Sequence, residues 1–152
     1  GSDPETSSSQ TSIRSTGGTY AFITKNIPFT CSDSSTGNVD PLSMNVDVTI
    51  VSNEIKIMAT VSSAQSAQAQ QNASGFSANT SGYSGLVQKD NSFTANQSGS
   101  GTHPNFGNFS LNYSLKGKIT DTDWAGTYNY TVNFIDLGVS CRYSTTFSGD
   151  KI

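Results

Sequence analysis

His103 is the only histidine of the chain, and it lies in the stretch Gly101-Thr102-His103-Pro104-Asn105. That composition reads as a solvated loop, so a metal centre there would need carboxylates brought from elsewhere. Serines abound, yet no Gly-x-Ser-x-Gly elbow marks one as a nucleophile. Asp121 and Asp123 could be taken for a glycosidase-type carboxylate pair. They sit between two alternating runs, where Asp is a turn residue that bonds its own backbone. The pair also lacks the Gly and Glu that complete an EF-hand calcium loop. Asp47, Glu54 and Lys56 read as solvated charges on strand faces. These residue types predict a protein that is not an enzyme and uses no cofactor and no metal.

Two cysteines permit a single intramolecular pairing, Cys31 with Cys141, and their spacing excludes a CxxC redox or metal motif. A bridge there closes a loop of about 110 residues, worth roughly 4–5 kcal/mol in the chain-entropy model. Two buried free thiols are the alternative. The remaining chemistry is aromatic. Tyr20, Phe22, Tyr113, Trp124, Tyr128, Tyr130, Phe134, Tyr143 and Phe147 fall on the inward faces of alternating segments. Tyr113, Trp124, Tyr128, Tyr130 and Tyr143 are the candidate ligand-binding residues, because a buried phenol hydroxyl needs a partner. Several hydroxyls in one lumen suggest a polar network, water or a ligand with hydrogen-bonding groups. The other reading is that the rings pack an eight-stranded barrel shut.

The elements that position these rings are strands. In residues 124–134, Trp124, Gly126, Tyr128, Tyr130, Val132 and Phe134 alternate with Ala125, Thr127, Asn129, Thr131 and Asn133, the period of a half-buried strand. Residues 109–119 repeat the pattern, and the polar turn 120–123 joins the two runs into a hairpin. Further hairpins are expected over 42–50 with 55–61, turning at Ser52-Asn53, and over 83–88 with 92–96. A first strand covers 18–31, where parity changes between Phe22 and Ile27. A bulge near Pro28 restores one inward face. A last strand covers 141–152. Residues 63–72 are Ala/Gln-rich and suit a short helical turn capped by Gly75.

That makes an all-β, eight-stranded antiparallel up-and-down barrel closed by the disulfide, with a two-sheet β-sandwich as the rival fold. The odd-numbered links (32–41, 62–82, 97–107 and 136–140) are mostly long, so one end of the barrel carries the Gly/Ser/Asn loops. Cys31 ends the first strand and Cys141 begins the eighth, which makes them neighbours if the ring closes.

Charged residues are only 12% and hydrophobic residues 33% of the chain, so polarity comes from Ser, Thr, Asn and Gln. This suits an exported protein, periplasmic or at the cell surface, better than a cytosolic enzyme. A net charge of −3 offers no basic field for nucleic acid or an anionic membrane. No run of about 18 apolar residues exists to span a bilayer as a helix. A transmembrane barrel would turn apolar residues outward, whereas the face opposite the aromatics is polar, which predicts a water-soluble barrel. Gly1-Ser2 reads as a cloning scar. Residues 3–15 read as a flexible tether, so that 1–15 precedes a single domain over 16–152. An export signal, or the lipidated Cys of a bacterial lipoprotein, is expected upstream. Asn72, Asn79, Asn96, Asn108, Asn112 and Asn129 begin Asn-x-Ser/Thr sequons, which matter only in a eukaryotic secretory host.

With Gly18-Thr19-Tyr20 opening the first strand, eight meandering strands and longer loops at one end, the chain resembles the lipocalin and fatty-acid-binding barrels. The resemblance covers residues 18–152 in outline. In that family a Gly-x-Trp signature opens the first strand and its Trp plugs the closed end; Tyr20 stands here in place of the Trp. No helix is evident after the last strand, a departure from the lipocalin pattern. The resemblance implies carriage of a small apolar ligand. Two functions are expected from the sequence: an exported, lipoprotein-like binding module with an apolar or amphipathic ligand at the long-loop end, or a structural module that meets an envelope protein or glycan.

Overall fold

The computed structural model describes residues 16–76, 79–80 and 82–152; the tether read over 1–15 lies outside them. Its strands are β1 (Gly17–Thr24), β2 (Ile27–Cys31), β3 (Thr36–Val39), β4 (Ser43–Val51), β5 (Glu54–Ala59), β6 (Asn79–Thr80), β7 (Tyr83–Val87), β8 (Ser92–His103), β9 (Gly107–Ile119), β10 (Asp123–Phe134) and β11 (Val139–Asp150). One helix, α1 (Val61–Ser74), follows β5. Eight strands pair antiparallel in the order β1-β4-β5-β7-β8-β9-β10-β11, and β11 returns to β1. The ring is closed, so the fold is a barrel and not a sandwich. The β2–β3 hairpin and the two-residue β6 lie outside it. No helix among the described residues is long and apolar enough to cross a membrane.

Closure depends on a bulge. Thr24 pairs with Phe147 and Phe29 with Tyr143, so four residues of the first strand lie opposite three of β11. The extra residue moves the inward set from Tyr20, Phe22 and Thr24 to Ile27 and Cys31, all buried. The Thr145 hydroxyl donates to the Asn26 carbonyl (3.0 Å) at this break. Beyond it, β2 leaves β4 and pairs with β3 instead. Cys31 and Cys141 are directly opposed and bonded, with Cα atoms 3.9 Å apart.

Glycines give the rings their room. Across four adjacent strands Phe93 faces Gly117, Gly117 faces Gly126, and Gly126 faces Phe147. A Cβ at Gly117 or Gly126 would run into the backbone of the other's strand. The sheet therefore bends tightly there, and Trp124 fills the space, stacked on Phe93 and edge-on to Phe147. Tyr20 packs on the indole and donates its hydroxyl to the Thr120 carbonyl (2.6 Å). This is the closed end.

At the other end the structure departs from the sequence expectation. Residues 97–107 were expected as a loop, but β8 continues to His103 and pairs with β9 to its tip. Small inward residues face large ones at three positions: Ala95 opposite Leu115, Gly99 opposite Leu111, Gly101 opposite Phe109. Packing against the partner strand outweighs the low strand propensity of Gln-Ser-Gly-Ser-Gly. Strands β8 to β11 thus rise beyond the closed ring as an open, curved wall.

Candidate functional site

A row of aromatic rings crosses this wall. Tyr113 (β9), Tyr130 (β10), Tyr143 (β11) and Phe29 (β2) are successive cross-strand partners. Tyr130 and Tyr143 stack at 4.2 Å and 7°, and Phe29 lies 4.9 Å from Tyr143. One step deeper, Tyr128 pairs with Leu115 and stacks on Tyr113 at 6.3 Å. Tyr83, from β7, meets Tyr113 edge-on across the lumen.

Below these rings a cavity of about 340 Å³ opens into the barrel. Phe22, Met44, Val46, Ile57 and Leu115 form its wall, with Leu42 at the rim. Tyr83, Tyr113 and Tyr128 bring phenols to it, and Gln97 brings an amide. Ala64, Ala67 and Gln68 of α1 roof it. Of the candidate residues named from sequence, Tyr113 and Tyr128 line the cavity. Tyr130 and Tyr143 continue the row above it. Trp124 lies at the barrel floor, its indole N–H donated to the Ala21 carbonyl (2.8 Å). Tyr83 was not among the candidates; the Tyr83, Gly85, Val87 alternation is the signal that places it inward.

Burial governs the titration of these phenols. It pushes Tyr113 up to about 12, helped by the repulsion its phenolate would feel from Tyr143. Tyr83 and Tyr128 are raised further by burial and by neighbouring tyrosines. Tyr130 and Tyr143 are raised for the same first reason. All five are neutral donors and acceptors at ordinary pH.

The roof is lightly held. Thr60 caps α1, accepting from the Ser63 N–H (3.4 Å). Docking to the barrel includes the Thr60 N–H on the Asn45 carbonyl (3.1 Å) and the Asn45 N–H on the Ser63 hydroxyl (3.2 Å). The sequence VSSAQSAQAQQNAS has no apolar face to bury, and most of its described side chains are exposed. The helix is longer than the short turn expected, and Gly75 ends it at φ +82° as anticipated.

His103 is not the solvated loop residue expected. It is buried under Phe76 and stacked on Phe106 (4.4 Å each), and its Nδ1 accepts from the Asn105 and Phe106 N–H groups. It closes the β8–β9 turn, with Phe76, Phe109 and Phe134 as a second small core. Asp121 and Asp123 hold the β9–β10 turn at the closed end. Asp121 receives Lys151 Nζ (2.6 Å) and Asp123 the Thr120 hydroxyl (3.0 Å).

A second, larger concavity of about 650 Å³ takes three consecutive residues from each of β8, β9, β10 and β11. Since alternate residues there face the lumen, its side chains are those of the outer face, among them Asn96, Asn112, Asn129, Thr131 and Arg142. It is the more open of the two. The lumen cavity is half-enclosed and combines aliphatic walls with a few convergent polar groups. Among the described residues no cluster of three His, Cys, Asp or Glu is placed to hold a metal. Compared with protein-family models, curated proteins and solved structures, the chain finds no match.

Proposed function

We propose that this protein is a non-catalytic binding module that holds one small amphipathic molecule in the lumen beneath α1. The observation that carries the proposal is the 340 Å³ cavity at the end of the barrel with the longer connections, apolar in its wall and fringed by three phenols from three strands. The weakly docked roof offers a way in and out. The likeness to lipocalin-type barrels belongs to this proposal and adds only the idea of carriage. Export to the periplasm or cell surface is part of it too, supported by the Cys31–Cys141 bond, which oxidising compartments preserve.

The test is titration with the apolar fluorophore N-phenyl-1-naphthylamine. Saturable enhancement at one site per chain is expected, and Met44→Trp, which fills the lumen, should abolish it while near-ultraviolet circular dichroism shows the fold intact. Equal enhancement by the folded variant would contradict a lumen site.

A second reading, an interaction module for an envelope protein or glycan, is favoured by the outer concavity. Its amides, hydroxyls and single guanidinium suit a polyhydroxylated surface. Substituting Asn112 and Arg142 to Ala should abolish retention on a glycan array under this reading and leave the fluorophore titration unchanged.

A further inference from the structure

Resting on the lumen-binding reading, we infer that the site selects uncharged ligands of about two fused rings bearing a hydroxyl or carbonyl group, and rejects fatty-acid-like anions and amines. The volume sets the size: 340 Å³ is roughly twice the ~150 Å³ cavity that takes up benzene.

The lining sets the charge. Its polar side chains are the phenols of Tyr83, Tyr113 and Tyr128 and the amides of Gln68 and Gln97. Among the described lining residues none is Asp, Glu, Lys or Arg. Arg142, the guanidinium of this wall, belongs to the outer concavity, with the sheet between it and the lumen. A carboxylate carried past the mouth to the aliphatic wall would lose its hydration and meet no counter-ion among the described lining residues. An ammonium would fare no better, since burial keeps the phenols from ionising.

What the lumen can satisfy is a neutral polar group. The Tyr83, Tyr113 and Tyr128 hydroxyls, which line the cavity, can each donate to, or accept from, such a group. The apolar remainder of the ligand would lie against Met44, Val46, Ile57 and Leu115.

The experiment compares 2-naphthol, 2-naphthoate, 2-(aminomethyl)naphthalene and naphthalene itself by calorimetry on the intact disulfide-bonded chain at neutral pH. The expected result is saturable 2-naphthol binding, with both charged probes at least about tenfold weaker, the direction set by unpaired burial. Tyr83→Phe and Tyr113→Phe should each weaken 2-naphthol by roughly 3–10-fold, the size of one neutral hydrogen bond, and leave naphthalene unchanged. Naphthoate or the amine binding as tightly as the naphthol would overturn the neutral-ligand inference and leave lumen binding standing. So would N-phenyl-1-naphthylamine binding without any two-ring probe, or equal losses for naphthol and naphthalene in both tyrosine variants. Failure of every probe, the fluorophore included, would remove the binding reading itself.

Discussion

The indole N–H of Trp124 donates to the backbone carbonyl of Ala21 at 2.8 Å, tying β10 to β1 across the intervening β11. Gly149 of β11, the cross-strand partner of Trp124, lies beneath this bond, and a Cβ there would collide with the same carbonyl. The closed end of the barrel is thus one packed unit of indole, carbonyl and glycine.

Trp124→Phe should cost about 1–3 kcal/mol for the stranded carbonyl, plus a term for the lost volume. Gly149→Ala should cost a comparable amount through the collision alone. Urea unfolding midpoints with unchanged slopes would show both. If either variant keeps the parental midpoint, the floor is not held in this way.

The disulfide joins β2 to β11 two residues from the Phe29–Tyr143 contact. The Cys31→Ser/Cys141→Ser double variant should lose about 2–5 kcal/mol, the range for removing a native bridge. Parental stability in the double variant, measured by urea unfolding, would mean that the hydrogen-bonded ring alone sets closure.

Alkaline pH should unfold the protein through its tyrosines. Folded Tyr113 is held neutral up to about 12, whereas an unfolded tyrosine ionises near ~10. The unfolded chain therefore releases its proton first. The stability contributed is complete below pH ~10 and is lost as the pH climbs through the folded value. Thermal melts between pH 9 and 12, read against tyrosinate absorbance, should show Tyr113→Phe losing less stability over that window than the parent. Equal slopes for the two would contradict the assignment.

Helix α1 should open without the barrel. A 14-residue helix with no apolar face, tied to Asn45 of β4 through its Thr60 cap and the Ser63 hydroxyl, is marginal by itself. Its amides should exchange hydrogen at least about 100-fold faster than those of β9 and β10, through local rather than global opening. Equal protection would mean a fixed roof and a different path into the lumen.

Alternation makes the eight strands, the bulge in the first strand and the Cys31–Cys141 pairing legible in the sequence. It also explains three of the sequons. Inward aromatics flanked by outward Asn, Ser and Thr spell Asn108-Phe-Ser110, Asn112-Tyr-Ser114 and Asn129-Tyr-Thr131 as a by-product of the pleat. The extent of β8 was hidden because its inward residues are Gly99 and Gly101, whose strand character comes from Leu111 and Phe109 opposite. The burial of His103 was hidden because it depends on Phe76, nearly thirty residues away in the chain and brought over by α1. Tyr113 and Tyr128 were recognisable as inward phenols. That they share a cavity with Ile57 and Ala67 depends on where β5 and α1 pack, which period-two patterning does not encode.

The most direct test of the account is the set of nuclear Overhauser contacts from bound 2-naphthol. Contacts to the methyl groups of Val46, Ile57 and Leu115 and to the rings of Tyr113 and Tyr128 are predicted, lost together in Met44→Trp. Contacts confined to the exposed Ile135 and Leu137, or to the outer face around Thr131, would contradict it.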